Sequence, residues 1–240
     1  MQYNEYVEKK VVLISGGSSG VGRAIAERLV HDWNVVIFAP DETKTKTVAG
    51  EIGCSYEIGD VTKDDDIQRI VSAVITKHGG LYCVVNNAGI FGEGELDQHD
   101  PAAMRRMMEV NALGTMLLSR AALPHMREQK SGVIVNIISQ AGLYARGNYP
   151  IYTATKWAVT GFTKSLQQEL APWNIRVTGV YPGLIKTNIF NAAGIPMTDD
   201  DWKTAVGPQD VANGVGWLLS LPEHVLVPEL GLRHVGEITP

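Results

Sequence analysis

Short apolar runs rich in β-branched residues alternate along the chain with longer stretches of helical period. The runs are Val11-Val12-Leu13-Ile14, Val35-Val36-Ile37-Phe38, Tyr82-Cys83-Val84-Val85, Val133-Ile134-Val135-Asn136-Ile137 and Ile175-Arg176-Val177-Thr178-Gly179-Val180. Helical patterns lie between and after them, near 20–31, 64–78, 101–127, 150–171 and 208–220. A strand that is apolar at nearly every position is buried on both faces, which predicts parallel strands joined by helical crossovers. The pattern therefore predicts a doubly wound α/β sheet. No linker, charge block, repeat or low-complexity tract interrupts the alternation, so one domain over 1–240 is expected. The least periodic stretch, roughly 183–207, follows a strand. Ligands of open α/β sheets bind beyond the carboxyl ends of strands, which makes this stretch a candidate substrate loop.

Composition narrows the function classes. The chain has 240 residues, of which 45% are hydrophobic and 20% charged, as in an ordinary globular protein. The formal net charge of −5 offers no basic field for a phosphate backbone or an anionic lipid, so neither nucleic acid nor membrane is expected as a partner. The polar start, MQYNEYVEKK, has no apolar core of a signal peptide, and no window approaches the roughly 18 apolar residues of a membrane span. Cys54 and Cys83 both fall in stretches read as strands and are expected to be buried free thiols, which fits a reducing, cytoplasmic compartment. The six histidines show no metal-ligand spacing, so no metal site is expected. Asp64-Asp65-Asp66 and Asp199-Asp200-Asp201 are read as acidic helix beginnings.

Two clusters carry chemistry. Directly after the first apolar run comes Ser15-Gly16-Gly17-Ser18-Ser19-Gly20-Val21-Gly22, followed by a helix-forming run. A glycine-rich turn between strand and helix lets backbone N–H groups approach a pyrophosphate at the positive end of the helix. Arg23-Ala24 stands where a triphosphate-binding loop needs Lys and Ser or Thr, so nucleoside triphosphate hydrolysis is poorly supported. The second cluster is Tyr152 and Lys156, one helical turn apart after Pro150. A neighbouring ammonium favours the phenolate and is expected to bring the Tyr152 pKa closer to working pH, suiting general acid/base work on an alcohol or carbonyl oxygen. Ser139, just past the Val133 to Ile137 run, is placed to hold that oxygen.

In these features the chain resembles the classical short-chain dehydrogenases/reductases over nearly its whole length. Gly16, Gly20 and Gly22 match the family's first turn, with Ser15 in place of its Thr. Asp60-Val61 resembles the pair that contacts adenine, and Asn86-Asn87-Ala88-Gly89 the turn that lines the cofactor and stabilises the sheet centre. Asn111 matches a helix asparagine that holds a water next to the catalytic lysine. Ser139, Tyr152 and Lys156 match the catalytic serine and the Tyr-x-x-x-Lys pair, and Pro182-Gly183 with Thr187 the segment that grips the nicotinamide carboxamide.

The resemblance implies a Rossmann-type sheet of about seven strands with helices on both faces, and NAD(P)-dependent hydride transfer between nicotinamide and an alcohol or carbonyl. It implies Asn111, Ser139, Tyr152 and Lys156 as catalytic residues. It implies cofactor contacts from Gly16, Ser18, Ser19, Gly20, Val21, Gly22, Asp60, Val61, Asn87, Ala88, Gly89, Tyr152, Lys156, Pro182, Gly183, Ile185 and Thr187. Pocket-wall candidates are Gln140, Leu143, Tyr144, Tyr149, Leu184 and Phe190.

NAD versus NADP stays open. Ala39 and Pro40 occupy the positions at the end of the second strand where the family sets that preference, Asp41 lies beyond them, and Lys44 and Lys46 are candidate phosphate ligands. The end of the chain is similar to a branch containing hydroxy-acid and serine-type dehydrogenases, which points to small polar alcohols or their carbonyls and leaves broad carbonyl reduction open. Family members commonly pair through the helix that contains Met104, Met107, Met108 and Met116 and the one that carries Tyr152, so a homodimer or homotetramer is expected. A dinucleotide-binding sensor and an epimerase with internally recycled nicotinamide are the alternatives.

Overall fold

The computed structural model of the protein describes residues 9–145 and 147–237. Its centre is a seven-stranded parallel sheet in the order β3-β2-β1-β4-β5-β6-β7. The strands are β1 (Val11–Ser15), β2 (Asn34–Ala39), β3 (Ser55–Ile58), β4 (Cys83–Asn86), β5 (Gly132–Ile137), β6 (Ile175–Pro182) and β7 (Glu229–Leu232). The helices are α1 (Gly20–Leu29), α2 (Glu42–Ile52), α3 (Asp64–His78), α4 (Pro101–Met108), α5 (Gly114–Glu128), α6 (Pro150–Leu170), α7 (Ile189–Ala192) and α8 (Pro208–Ser220).

Successive strand side chains point to opposite faces, and both faces are covered. Val12 and Ile14 of β1 pack with Ile25 and Leu29 of α1 and Val211 and Val215 of α8. Leu13, between them, joins Ile67 and Ile70 of α3, Leu118 and Met126 of α5 and Leu166 of α6 on the other face. Full burial of an aliphatic side chain contributes about 1.5–3 kcal/mol. A central strand covered on both sides is therefore stabilised by an apolar residue at every position.

The elements that periodicity does not reveal are at the edges. Strand β3 has no fully buried residue, β7 alternates exposed and half-buried positions, and α2 buries only Thr45, Val48 and Ala49. The stretch read as one helix over 101–127 is α4 and α5 joined by a π-helical segment, Glu109–Leu113. Cys83 is buried in β4, whereas Cys54 is half-buried and precedes β3 instead of lying in a strand. Burial raises the pKa of both thiols. The run Asp64 to Asp66 opens α3 as expected, while of the second acidic run Asp201 begins a short 3-10 turn and accepts bonds from Thr198.

Strand order reverses between β1 and β4, the chain running outward through β2 and β3 on one side and through β5, β6 and β7 on the other. Ser15 ties the two together: its Oγ donates to the Val85 carbonyl at 3.3 Å and accepts from the N–H groups of Asn87 and Ala88 at 3.0 and 3.1 Å. Further along, Asn86, Asn136, Ser119 and Thr163 form a buried chain of hydrogen bonds linking β4 and β5 to α5 and α6. Such a chain fixes the positions of the strand ends, because breaking one link leaves a buried amide unpaired.

Candidate active site

A cavity of about 580 Å³ opens at the carboxyl ends of the strands. One end is formed by Gly16, Ser19, Gly20 and Val21 in the turn from β1 into α1, together with Lys44. Gly16 and Gly20 have φ of 64° and 53°, the left-handed region that favours glycine. Gly22 has a different reason to be glycine: a Cβ there would lie 2.5 Å from the Gly16 carbonyl oxygen. The Asn87 amide braces the same turn by donating to the carbonyls of Ser15 and Gly16 at 3.0 and 3.3 Å.

The start of α1 has no side-chain cap and, unlike α3 with its three aspartates, no acidic residue in its first turn. Free N–H groups, the positive helix end and a glycine backbone that admits close approach together suit a pyrophosphate. A dinucleotide therefore fits this end of the cavity.

The middle of the cavity is lined by Ser139, Tyr152 and Lys156. Ser139 directly follows the extended segment after β5, and its Oγ accepts from Ala141 N–H at 3.1 Å. Tyr152 is in the first turn of α6, and Lys156, one turn later, holds its Nζ 5.4 Å from the Tyr152 ring centroid and donates to the Ile137 carbonyl at 3.2 Å.

The expected lowering of the Tyr152 pKa is not what this arrangement produces. Burial pushes Tyr152 up to about 12, with a hydrogen bond to Ser139 opposing it and Tyr149 adding to it. Burial likewise brings Lys156 down to about 8. Desolvation penalises both charged forms, and it outweighs the help each would give the other.

Asn111 is in the π-helical segment, where its amide accepts from Ile90 N–H at 2.8 Å and donates to the Ile90 carbonyl and Thr155 Oγ1 at 2.9 and 3.1 Å. Its side chain thus anchors the loop after β4.

Of the other expected contacts, Asn87, Ala88, Gly89, Pro182, Gly183, Ile185 and Thr187 line the cavity. Ser18, Gly22, Asp60 and Val61 do not. Ser18 is buried and Gly22 is packed within the turn. Val61 is buried in the apolar core beside α3, and Asp60 is held by Arg106 at 2.9 Å and by Thr62. Although burial opposes ionisation of Asp60, those bonds keep its carboxyl below the usual range.

Of the wall candidates, Gln140, Tyr149, Leu184 and Phe190 line the cavity, while Leu143 packs with Ile138, Val159 and Tyr181, and Tyr144 is exposed. Sequence reasoning missed Phe91, Glu93 and Glu237, which also line it. Phe91, two residues past Gly89, had the nearest signal.

The stretch 183–207 is more ordered than its composition suggests. Ile185 and Val206 form a parallel bridge, α7 lies between them, and Leu184 through Met197 contribute much of the far wall. Lys44 lines the cavity and Lys46 does not, and Asp41 caps α2 by accepting from Lys44 N–H at 2.9 Å. Among the described residues no helix is long and apolar enough to cross a membrane, and no group of three or more His, Cys, Asp or Glu could hold a metal ion.

The short chain dehydrogenase family model matches residues 10–196. An uncharacterized oxidoreductase of Staphylococcus saprophyticus is 33% identical over 239 residues, 95% of this chain and 99% of that protein. Among solved structures, a 3-ketoacyl-(acyl-carrier-protein) reductase from Brucella melitensis complexed with NADH is 30% identical with a TM-score of 0.87, covering 95% of this chain and 98% of that one. The closed form of a serine dehydrogenase complexed with NADP+ is 26% identical with a TM-score of 0.89, covering 95% and 96%. The fold order, the glycine turn and these matches agree: the chain belongs to the short chain dehydrogenase family and is an NAD(P)(H)-dependent oxidoreductase.

Proposed function

We propose that the protein is an NADPH-dependent carbonyl reductase in which Tyr152 gives the proton. The observation that carries this reading is that Ser139, Tyr152 and Lys156 line one cavity with the glycine turn, Lys156 Nζ lying 5.4 Å from the Tyr152 ring, where burial pushes the Tyr152 pKa up. The bound dinucleotide supplies the hydride. Ser139 and Tyr152 hold the substrate oxygen, and Tyr152 protonates it as negative charge develops there. Lys156, with its ammonium beneath the ring, steadies the phenolate left behind and takes the ribose hydroxyls. Asn111 acts at one remove, by fixing Ile90 and hence the loop bordering the site. Gly16, Ser19, Gly20 and Val21 take the pyrophosphate, while Pro182, Gly183, Ile185 and Thr187 take the carboxamide end.

NADPH is favoured over NADH because the end of β2 offers Ala39 and Pro40 in place of a carboxylate, the Asp41 carboxylate is engaged in capping α2, and Lys44 lines the cavity. The stretch 183–207 acts as the substrate loop of a single domain. Exposed Met108, Leu113 and Trp157, on α4, the π-helical segment and α6, support self-association into a dimer or tetramer. Two free thiols suit a reducing, cytoplasmic setting.

A carbonyl panel run with NADPH and NADH in parallel tests the reading. Consumption of reduced nucleotide with NADPH preferred at least ~10-fold, and loss of that preference in Lys44→Ala, is expected. Preference for NADH would overturn the cofactor assignment. Nucleotide binding without consumption across the panel would favour a regulator.

A further inference from the structure

The part of the cavity beyond Tyr152 has a composition of its own. Phe91 is at its centre, with ring centroids 4.9 Å from Tyr152, 5.3 Å from Tyr149 and 5.0 Å from Phe190, all edge-to-face. Trp202 backs Phe190 at 5.9 Å, and Ile189, Ile195 and Met197 continue the apolar wall. Edge-to-face aromatic groups leave ring faces and edges available to a further ring.

Gln140 breaks this apolar lining. It is 7% exposed, lines the cavity next to Ser139, and its Oε1 has no hydrogen-bond partner among the described residues. A buried amide oxygen without a partner costs about 1–3 kcal/mol, so a ligand group that satisfies the amide is selected for.

The described charged residues on the lining are Lys44 at the pyrophosphate end, Lys156 beneath Tyr152, and two carboxylates, Glu93 and Glu237. Glu93 is held by Asn148 Nδ2 at 2.6 Å, and Glu237 accepts from Leu184 N–H at 3.3 Å. A substrate carboxylate entering here meets like charge and desolvation together.

We propose that the substrate is an uncharged ketone bearing an aryl group, with a second polar group that bonds the Gln140 amide. The aryl group stacks against Phe91, Tyr149 and Phe190. This deepens the reductase reading and rests on it. It differs from the small polar alcohols or carbonyls that the end of the chain suggests, because the wall is aromatic.

Three matched probes separate the terms. Methyl benzoylformate is neutral and aryl-bearing, benzoylformate carries the carboxylate, and methyl pyruvate lacks the ring. With NADPH, kcat/KM for the aryl ester should exceed that for the acid by about 100-fold and that for methyl pyruvate by about 10-fold or more. Phe91→Ala should collapse the aryl-to-methyl ratio, and Gln140→Leu should raise KM for the aryl ester more than it lowers kcat.

Equal use of acid and ester, or of methyl pyruvate and the aryl ester, overturns the substrate class and leaves the reductase reading standing. Calorimetric binding to the Tyr152→Phe protein with NADPH provides a readout free of turnover. Binding of the ester but not the acid, with no reduction by the unsubstituted protein, supports the substrate class and overturns the proton-donor reading. Failure of the ester to bind overturns the proposal.

Discussion

At one end of the cavity backbone does the shaping, and at the other aromatic side chains do. The glycine turn, the Ser15 hydroxyl and the Asn87 amide form a short-range unit whose parts are joined by hydrogen bonds of 3.0 to 3.3 Å. The far end draws Phe91, Tyr149 and Phe190 from three separate segments, two loops and helix α7, and has aromatic contacts of 4.9 to 6.0 Å in place of such a network. A backbone cradle admits one shape of ligand, while a wall of rings tolerates variation in what it packs against. The contrast suits an enzyme with a fixed cofactor and a substrate chosen by apolar fit.

Substitutions at the two ends should therefore fail differently. The largest effect is expected at Gly22, where a side chain meets the Gly16 carbonyl and cannot move aside. Gly22→Val should cost about 1–3 kcal/mol of stability and at least ~100-fold in NADPH affinity, read by calorimetry on protein that retains its circular dichroism. Retained affinity would mean that the turn is not a rigid cradle.

A smaller effect, of opposite sign for stability, is expected between the two ends, at Lys156. Its pKa falls from 10.5 to about 8 in the folded chain, so the unfolded chain binds the proton more readily. Stability is therefore lost as pH falls from about 10.5 to about 8, and the full cost is present below that. Lys156→Met removes the cost but also the bond to the Ile137 carbonyl, leaving a net gain of about 1–2 kcal/mol near neutral pH. Thermal melts should show a Tm higher by a few degrees near neutral pH, with the gain vanishing as pH rises toward the unfolded-state pKa. An unchanged or lower Tm near neutral pH would contradict the assignment of desolvation as the dominant cause.

The same contrast explains what was legible in the sequence. Central strands read clearly because both faces are buried, and the residues of the backbone cradle read clearly because a tight turn restricts what can occupy Gly16 or Gly20. Strand β3 and helix α2 were silent because an edge element buries too little to impose a period. Glu237 was silent, and Phe91 had only its nearness to Gly89, because a wall assembled from distant segments leaves no spacing in the chain. The Tyr152 and Lys156 pair was found by spacing, yet the direction of its titration was not, since one-turn proximity says nothing of how dry the site is. Asp60 likewise matched a motif, while its ion pair with Arg106 is visible only in three dimensions.

The proposed function stands or falls with Tyr152 as proton donor. It is tested most directly by following NADPH absorbance with methyl benzoylformate in the unsubstituted and Tyr152→Phe proteins, with NADPH bound to both as judged by its fluorescence. Steady consumption is expected in the first and a loss of at least ~1,000-fold in the second, with NADPH affinity within about threefold. Consumption by Tyr152→Phe at a rate close to that of the unsubstituted protein would contradict it.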